Sequence, residues 1–128
     1  MITEDYVSFE VAKLLKEKGF REICNKCYGI ESKKFFSSIR SNDDDTMYAA
    51  PTLQMAMKWL RDVHNLHIEA RITNHSMSSL CEVVKYYWVV FNTTNAKWVN
   101  ESSVYTLYFN TYEDACASAI KNCLENLI

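Results

Sequence analysis

Residues 83–91, Val-Val-Lys-Tyr-Tyr-Trp-Val-Val-Phe, are apolar on both faces of any extended strand they form. Successive side chains of a strand point to opposite sides. Val84, Tyr86, Trp88 and Val90 therefore share one face, and Val83, Tyr87, Val89 and Phe91 share the other. A strand of this kind either lies centrally under two covers or shows its second face to something else.

The neighbouring segments extend this picture. In residues 66–73, Leu66, Ile68, Ala70 and Ile72 alternate with His67, Glu69, Arg71 and Thr73, the pattern of a half-buried strand with one wet face. Residues 104–109 are again aromatic and β-branched and predict a third strand. The polar stretch 92–103 between them reads as a connection or hairpin extension carrying Trp98.

Helical periodicity marks three other places. Ser8 caps a first helix running to about Lys18, with Val7, Val11, Leu14 and Leu15 at helical spacing and Gly19 as a left-handed stop. Thr52, after Ala50-Pro51, opens a second helix in which Leu53, Ala56, Met57, Leu60 and Val63 form the apolar stripe. Met55 and Trp59 lie beside that stripe, one turn apart. Thr111 and Asp114 start a third helix, in the manner of a capping box, whose buried face is Cys116, Ile120, Cys123, Leu124 and Leu127. In residues 20–50, Ile23, Tyr28, Ile30, Phe35 and Phe36 predict a short hairpin around residues 29–34.

Consecutive strands on short links are antiparallel neighbours. The expected fold is α+β: an antiparallel sheet of three to five strands with about three helices packed mainly on one face. The 128 residues suit one domain spanning 1–128, and two glycines and one proline leave little room for elaborate loops.

Composition narrows the function classes. A net charge of −2 provides no long-range field to draw in nucleic acid or an anionic membrane. The five cysteines are odd in number and irregular in spacing, and the N-terminus is acidic without an apolar export core. Reduced thiols and a cytoplasmic location are expected, with no membrane span and no cofactor. With two glycines, no phosphate-cradling loop of the Walker or Rossmann type is possible.

Chemistry-bearing patterns are sparse. Cys24 and Cys27 with His64 and His67 have the donor types of a tetrahedral zinc site, although the pairs are far apart in sequence and the cysteines lack a following knuckle glycine. Cys81, Cys116 and Cys123 are nucleophile candidates with His75 as base. Cys116 and Cys123, however, fall on a buried helical stripe, where cysteine acts as a small hydrophobe. Asp43-Asp44-Asp45 lacks the ligand alternation of a calcium loop and reads as a solvated turn.

Aromatic side chains carry the strongest functional hint. Tyr86, Tyr87, Trp88, Phe91, Trp98, Tyr105, Tyr108 and Phe109 concentrate on two expected strands and their link. Helices cover one face of a sheet, so the other exposes rings, and exposed aromatic patches mark interfaces. Trp59, Tyr87, Trp88, Phe91, Trp98 and Tyr105 are the expected binding surface. The expected function is a non-enzymatic interaction module, binding a protein partner or a second copy of itself. The alternative is an accessory protein that holds a nucleotide or nucleic acid by stacking on those rings.

The stretches Asp5-Tyr6-Val7-Ser8-Phe9-Glu10-Val11-Ala12 through Gly19-Phe20, Ala50-Pro51-Thr52-Leu53-Gln54-Met55-Ala56-Met57-Lys58-Trp59-Leu60-Arg61, and Thr111-Tyr112-Glu113-Asp114-Ala115 through Leu127 cover about half of the chain. Together they resemble a family of small uncharacterised proteins from gut Bacteroides-type bacteria, their phages and mobile elements. The resemblance implies an accessory role in a phage or mobile element. It carries no residue-level chemistry.

Overall fold

The computed structural model describes residues 1–78 and 81–128, with side chains described outside 75–83. The first helix, α1 (Phe9–Glu17), starts where Ser8 Oγ accepts the Val11 amide at 3.3 Å, and it ends at Gly19, whose φ is +94°. The chain then forms a three-stranded antiparallel sheet from β1 (Cys24–Gly29), β2 (Phe35–Arg40) and β3 (Met47–Ala49), in the order β2-β1-β3. The β1–β2 hairpin turns across residues 30–34, where the sequence places it.

The segment Ser41–Thr46 is closed by local polar bonds. Asn42 is buried and holds two strands of chain together, donating to the Phe20 carbonyl at 3.0 Å and accepting the Ala49 amide at 2.7 Å. Lys16 Nζ donates to the Asp44 and Met47 carbonyls, and Asp44 accepts from the Thr46 amide and pairs with Arg40.

The second helix, α2 (Leu53–His64), is capped by Thr52 Oγ1 accepting the Met55 amide at 3.1 Å, and it ends at Asn65 in the left-handed conformation. Its buried face is Leu53, Ala56, Met57, Trp59 and Leu60. The stripe is therefore rotated from the expected one: Trp59 turns inward, and Val63 is 55% exposed. Trp59 packs edge-on against Phe20 and against His64, with ring centroids 5.4 and 4.7 Å apart.

A second three-stranded antiparallel sheet follows, formed by β4 (Leu66–Ser78), β5 (Cys81–Asn92) and β6 (Lys97–Glu101) in the order β4-β5-β6. Residues 104–109 do not form the expected strand. A 3₁₀ turn, Ser102–Tyr105, follows β6 directly, and Thr106 then takes a left-handed conformation with φ of 56°. A left-handed, β-branched residue cannot continue a strand. Only Phe109 returns to the sheet, exchanging two backbone hydrogen bonds of 2.8 Å with Tyr86.

The third helix, α3 (Tyr112–Asn122), begins with Thr111 Oγ1 accepting the Asp114 amide at 3.0 Å and passes into a wider π turn, Cys123–Leu127. The core joins α1 (Val11, Leu15), α2 (Leu60), α3 (Cys116, Ile120) and one face of the second sheet (Leu66, Ile68, Trp88, Val90). The fold is thus α+β with antiparallel strands and three helices, its strands divided between two sheets rather than gathered in one. Among the described residues no helix is long and apolar enough to cross a membrane.

Candidate interaction surface

The register of the second sheet fixes which residues share its open face. Glu69 lies opposite Val89, Arg71 opposite Tyr87, and His67 opposite Phe91. On the other edge of β5, Glu101 lies opposite Val89, and an irregularity in the ladder places Trp98 opposite Phe91. All of these alternate with the core-facing Ile68, Ala70, Trp88 and Val90, so they lie on the side away from the helices.

The side chains on this face contact one another. The rings of Phe91 and Trp98 meet edge-on at 4.9 Å. The Arg71 guanidinium lies over the Trp98 ring at 4.8 Å and reaches Glu69 Oε2 at 3.4 Å. Tyr87 and Tyr108 form a further edge-on pair at 6.3 Å. Hydrogen bonds to Glu69 and then to the Tyr87 hydroxyl hold the Arg71 pKa above its already high value, so Arg71 is a fixed cation on an apolar platform.

Between these groups and the 3₁₀ turn is a cleft of about 390 Å³. Val89 forms its buried floor, and Arg71, Trp98, Val99, Glu101 and Val104 form its walls. Its position depends on a substitution of bonding partners along β5. Where β6 ends, the buried Ser102 Oγ accepts the Trp88 amide at 2.9 Å, in place of the next strand residue. That bond seats the 3₁₀ turn, which brings Val104 into the cleft wall with Trp98 and leaves Val104 and Tyr105 72% and 59% exposed.

The six expected surface residues therefore separate. Tyr87 and Phe91 are half-buried on the open face, Trp98 is exposed at the cleft wall, and Tyr105 is exposed one residue beyond the cleft-lining Val104. Trp59 and Trp88 are corrections. Trp59 is 7% exposed and Trp88 is 2% exposed, and Trp88 Nε1 donates to Ser118 on α3 at 3.0 Å. Both indoles hold helices to the body of the protein and present nothing to a partner. Arg71, Glu101, Val89 and Val104 join the surface instead. Arg71 was legible from its place on the wet side of β4. Val104 was not, because its position depends on the 3₁₀ turn.

The zinc set is not assembled. Cys24 and Cys27 are buried on β1, His64 closes α2 against Trp59, and His67 lies on the open face of β4. Among the described residues no group of three or more histidine, cysteine or acidic side chains is placed to hold a metal ion. Burial raises the thiol pKa of Cys24 to about 11 and of Cys123 to about 12, and it raises Cys27 and Cys116 as well. Protonated, buried thiols are poor nucleophiles. The proposed pairing of Cys81 with His75 falls outside the described side chains.

This surface offers ring faces, aliphatic walls, one fixed cation and a balancing carboxylate. Aromatic residues and arginine are the side chains enriched at protein interfaces. Comparison with protein-family models, with curated proteins and with solved structures finds no match to this chain.

Proposed function

We propose that this chain is a small non-enzymatic interaction module that binds a protein partner through the open face of its second sheet. The observation that carries this reading is the cleft over Val89, bounded by Trp98, Val104 and Arg71 on the face of the sheet opposite α1, α2 and α3. Aromatic residues and arginine around a desolvated floor are the composition of protein-binding hot spots. Charge on the face is balanced, with Arg71 and Lys85 against Glu69 and Glu101. A nucleic-acid platform requires a basic excess around its rings, so the balance favours a protein partner over nucleic acid. An accessory role of this kind in a phage or mobile element is part of the same proposal.

Site-specific photo-cross-linking tests the proposal. Benzoylphenylalanine replaces the exposed Tyr105, next in the chain to the cleft-lining Val104, in one sample and Lys13 on the exposed side of α1 in another, each in lysate of the cells that naturally make the chain. A discrete adduct from position 105, absent from position 13 and lost on Trp98→Ala, is the expected result. Equal labelling from both positions, or no adduct from 105, would refute it. Salt-sensitive quenching of tryptophan fluorescence by a single-stranded oligonucleotide would replace it with the nucleic-acid reading.

A further inference from the structure

The outer edge of β4 points to a second copy of this chain. Tyr86 exchanges backbone bonds with Phe109, and the Trp88 amide bonds to Ser102, both on the side of β5 away from β4. On β5, therefore, Tyr87, Val89 and Phe91 bond toward β4, where they meet Arg71, Glu69 and His67. The Thr93 amide, bonded to the Asn65 carbonyl at 2.9 Å, has the same parity. It follows that the N–H and C=O groups of Leu66, Ile68, Ala70, Ile72 and Asn74 point outward, off the sheet. Among the described residues no strand pairs with them. A long unpaired edge is a template for strand addition unless charge, proline or a covering element blunts it. This edge has no proline, and its two charged side chains are of opposite sign and two residues apart.

We propose that β4 pairs antiparallel with β4 of a second copy about a two-fold axis through Ala70. Outward bonding parity limits the pairing to registers in which even-numbered residues oppose even-numbered ones. Centring on Glu69 would oppose Glu69 to itself, and centring on Arg71 would oppose Arg71 to itself, and like charges directly opposite are destabilising. Centring on Ala70 opposes Glu69 of each copy to Arg71 of the other, twice. These are non-hydrogen-bonded positions, where cross-strand side chains approach closest. The same register sets Ile68 opposite Ile72. Ile72 lies on the core-facing side of β4 yet is 64% exposed, beyond the cover of the helices, whereas Ile68 is buried. Pairing places the uncovered isoleucine beside the covered one of the other copy and forms about ten main-chain hydrogen bonds, two at each bonded pair. Because the axis is normal to the sheet, both open faces lie on one side. Two clefts then share a continuous six-stranded surface, and the partner proposed above would meet a two-fold symmetric site.

The test is sedimentation equilibrium of the full chain and of four variants, each with its circular dichroism spectrum and melting temperature recorded. The wild-type chain is expected to be a dimer. Ile72→Lys, at a position exposed in the single copy, is expected to keep the fold and raise the dimer dissociation constant at least about tenfold. Glu69→Arg is expected to weaken the dimer similarly, and Glu69→Arg with Arg71→Glu to restore it, because pairing 69 with 71 of the other copy is indifferent to exchanging the charges, whereas registers centred on 69 or 71 oppose like charges in either version. Trp98→Ala should leave the dimer intact. A monomeric wild-type chain would overturn the proposal, as would a dimer unmoved by Ile72→Lys. A dimer dissociated by Trp98→Ala alone would move self-association to the open face, leaving the edge unpaired.

Discussion

Removing one oxygen at Ser102 tests how the cleft is built. Ser102 is fully buried, and its Oγ accepts the backbone amide of Trp88 at 2.9 Å. That amide sits on the central strand, between the last β6 pair at Val89 and the bridge at Tyr86, with no carbonyl of a neighbouring strand to meet it. Ser102→Ala deletes the acceptor and leaves the donor buried. A hydrogen bond contributes about 0.5–1.5 kcal/mol net, but an orphaned buried donor costs about 1–3 kcal/mol. The second figure governs, because the amide cannot be removed together with its partner. Alanine is close in volume to serine, so the cavity contribution is small, and a loss of about 2 kcal/mol is expected.

For a domain of this size such a loss corresponds to a fall of about 6–10 °C in Tm. Urea unfolding followed by tryptophan fluorescence should show a lower midpoint at unchanged slope. Amide hydrogen exchange should show the Trp88 proton exchanging faster while Val90, deeper in the ladder, is less affected. Ser103→Ala, next in the chain and partly exposed, serves as the control and should stay within about 0.5 kcal/mol. If Ser102→Ala is as mild as the control and Trp88 keeps its protection, the bond does not seat the turn, and the account of the cleft fails.

Three further outcomes follow from the same geometry. Trp88→Ala should cost about 3–5 kcal/mol, because its indole is buried against α3, whereas Trp98→Ala should cost less than about 1 kcal/mol; chemical denaturation of the pair separates structural from surface tryptophan. Alkylation of the native protein at pH 8, mapped by mass spectrometry, should spare Cys24, Cys27, Cys116 and Cys123, and unfolding should expose all four; rapid native labelling of Cys24 would contradict its pKa of about 11. Burial lowers the pKa of His64, whose Nε2 has no hydrogen-bond partner. Above its ordinary value of 6.5 both folded and unfolded chains hold it neutral; as pH falls through 6.5 the unfolded chain takes up the proton first, so stability declines there. His64→Phe, which keeps an edge-on ring contact with Trp59, should flatten that decline in the urea midpoint between pH 7.5 and 5.5.

The parts of this fold legible in the sequence are those in which neighbours in the chain decide the outcome. Ser8, Thr52 and Thr111 cap their helices because a hydroxyl three residues from an amide meets it whatever the rest of the protein does. The strand from Leu66 shows its two faces because alternation is a property of the backbone. Long-range packing decides what was not legible. Val63 and Trp59 border the same helical stripe, and only the presence of Phe20 and His64 beside Trp59 settles which turns inward. Residues 104–109 have the composition of a strand, yet Ser102 takes the Trp88 amide, and the chain is committed to a turn before those residues reach the sheet. The same step separates the aromatic residues by role. Trp88 and Trp98 are alike as residues, but one lies under α3 and the other beside Arg71, because alternation puts Trp88 on the helix-covered face of the sheet and the register puts Trp98 opposite Phe91 on the open one. A surface made of such residues has no local motif: its identity depends on which face of the sheet is covered, and that is fixed only when the helices dock.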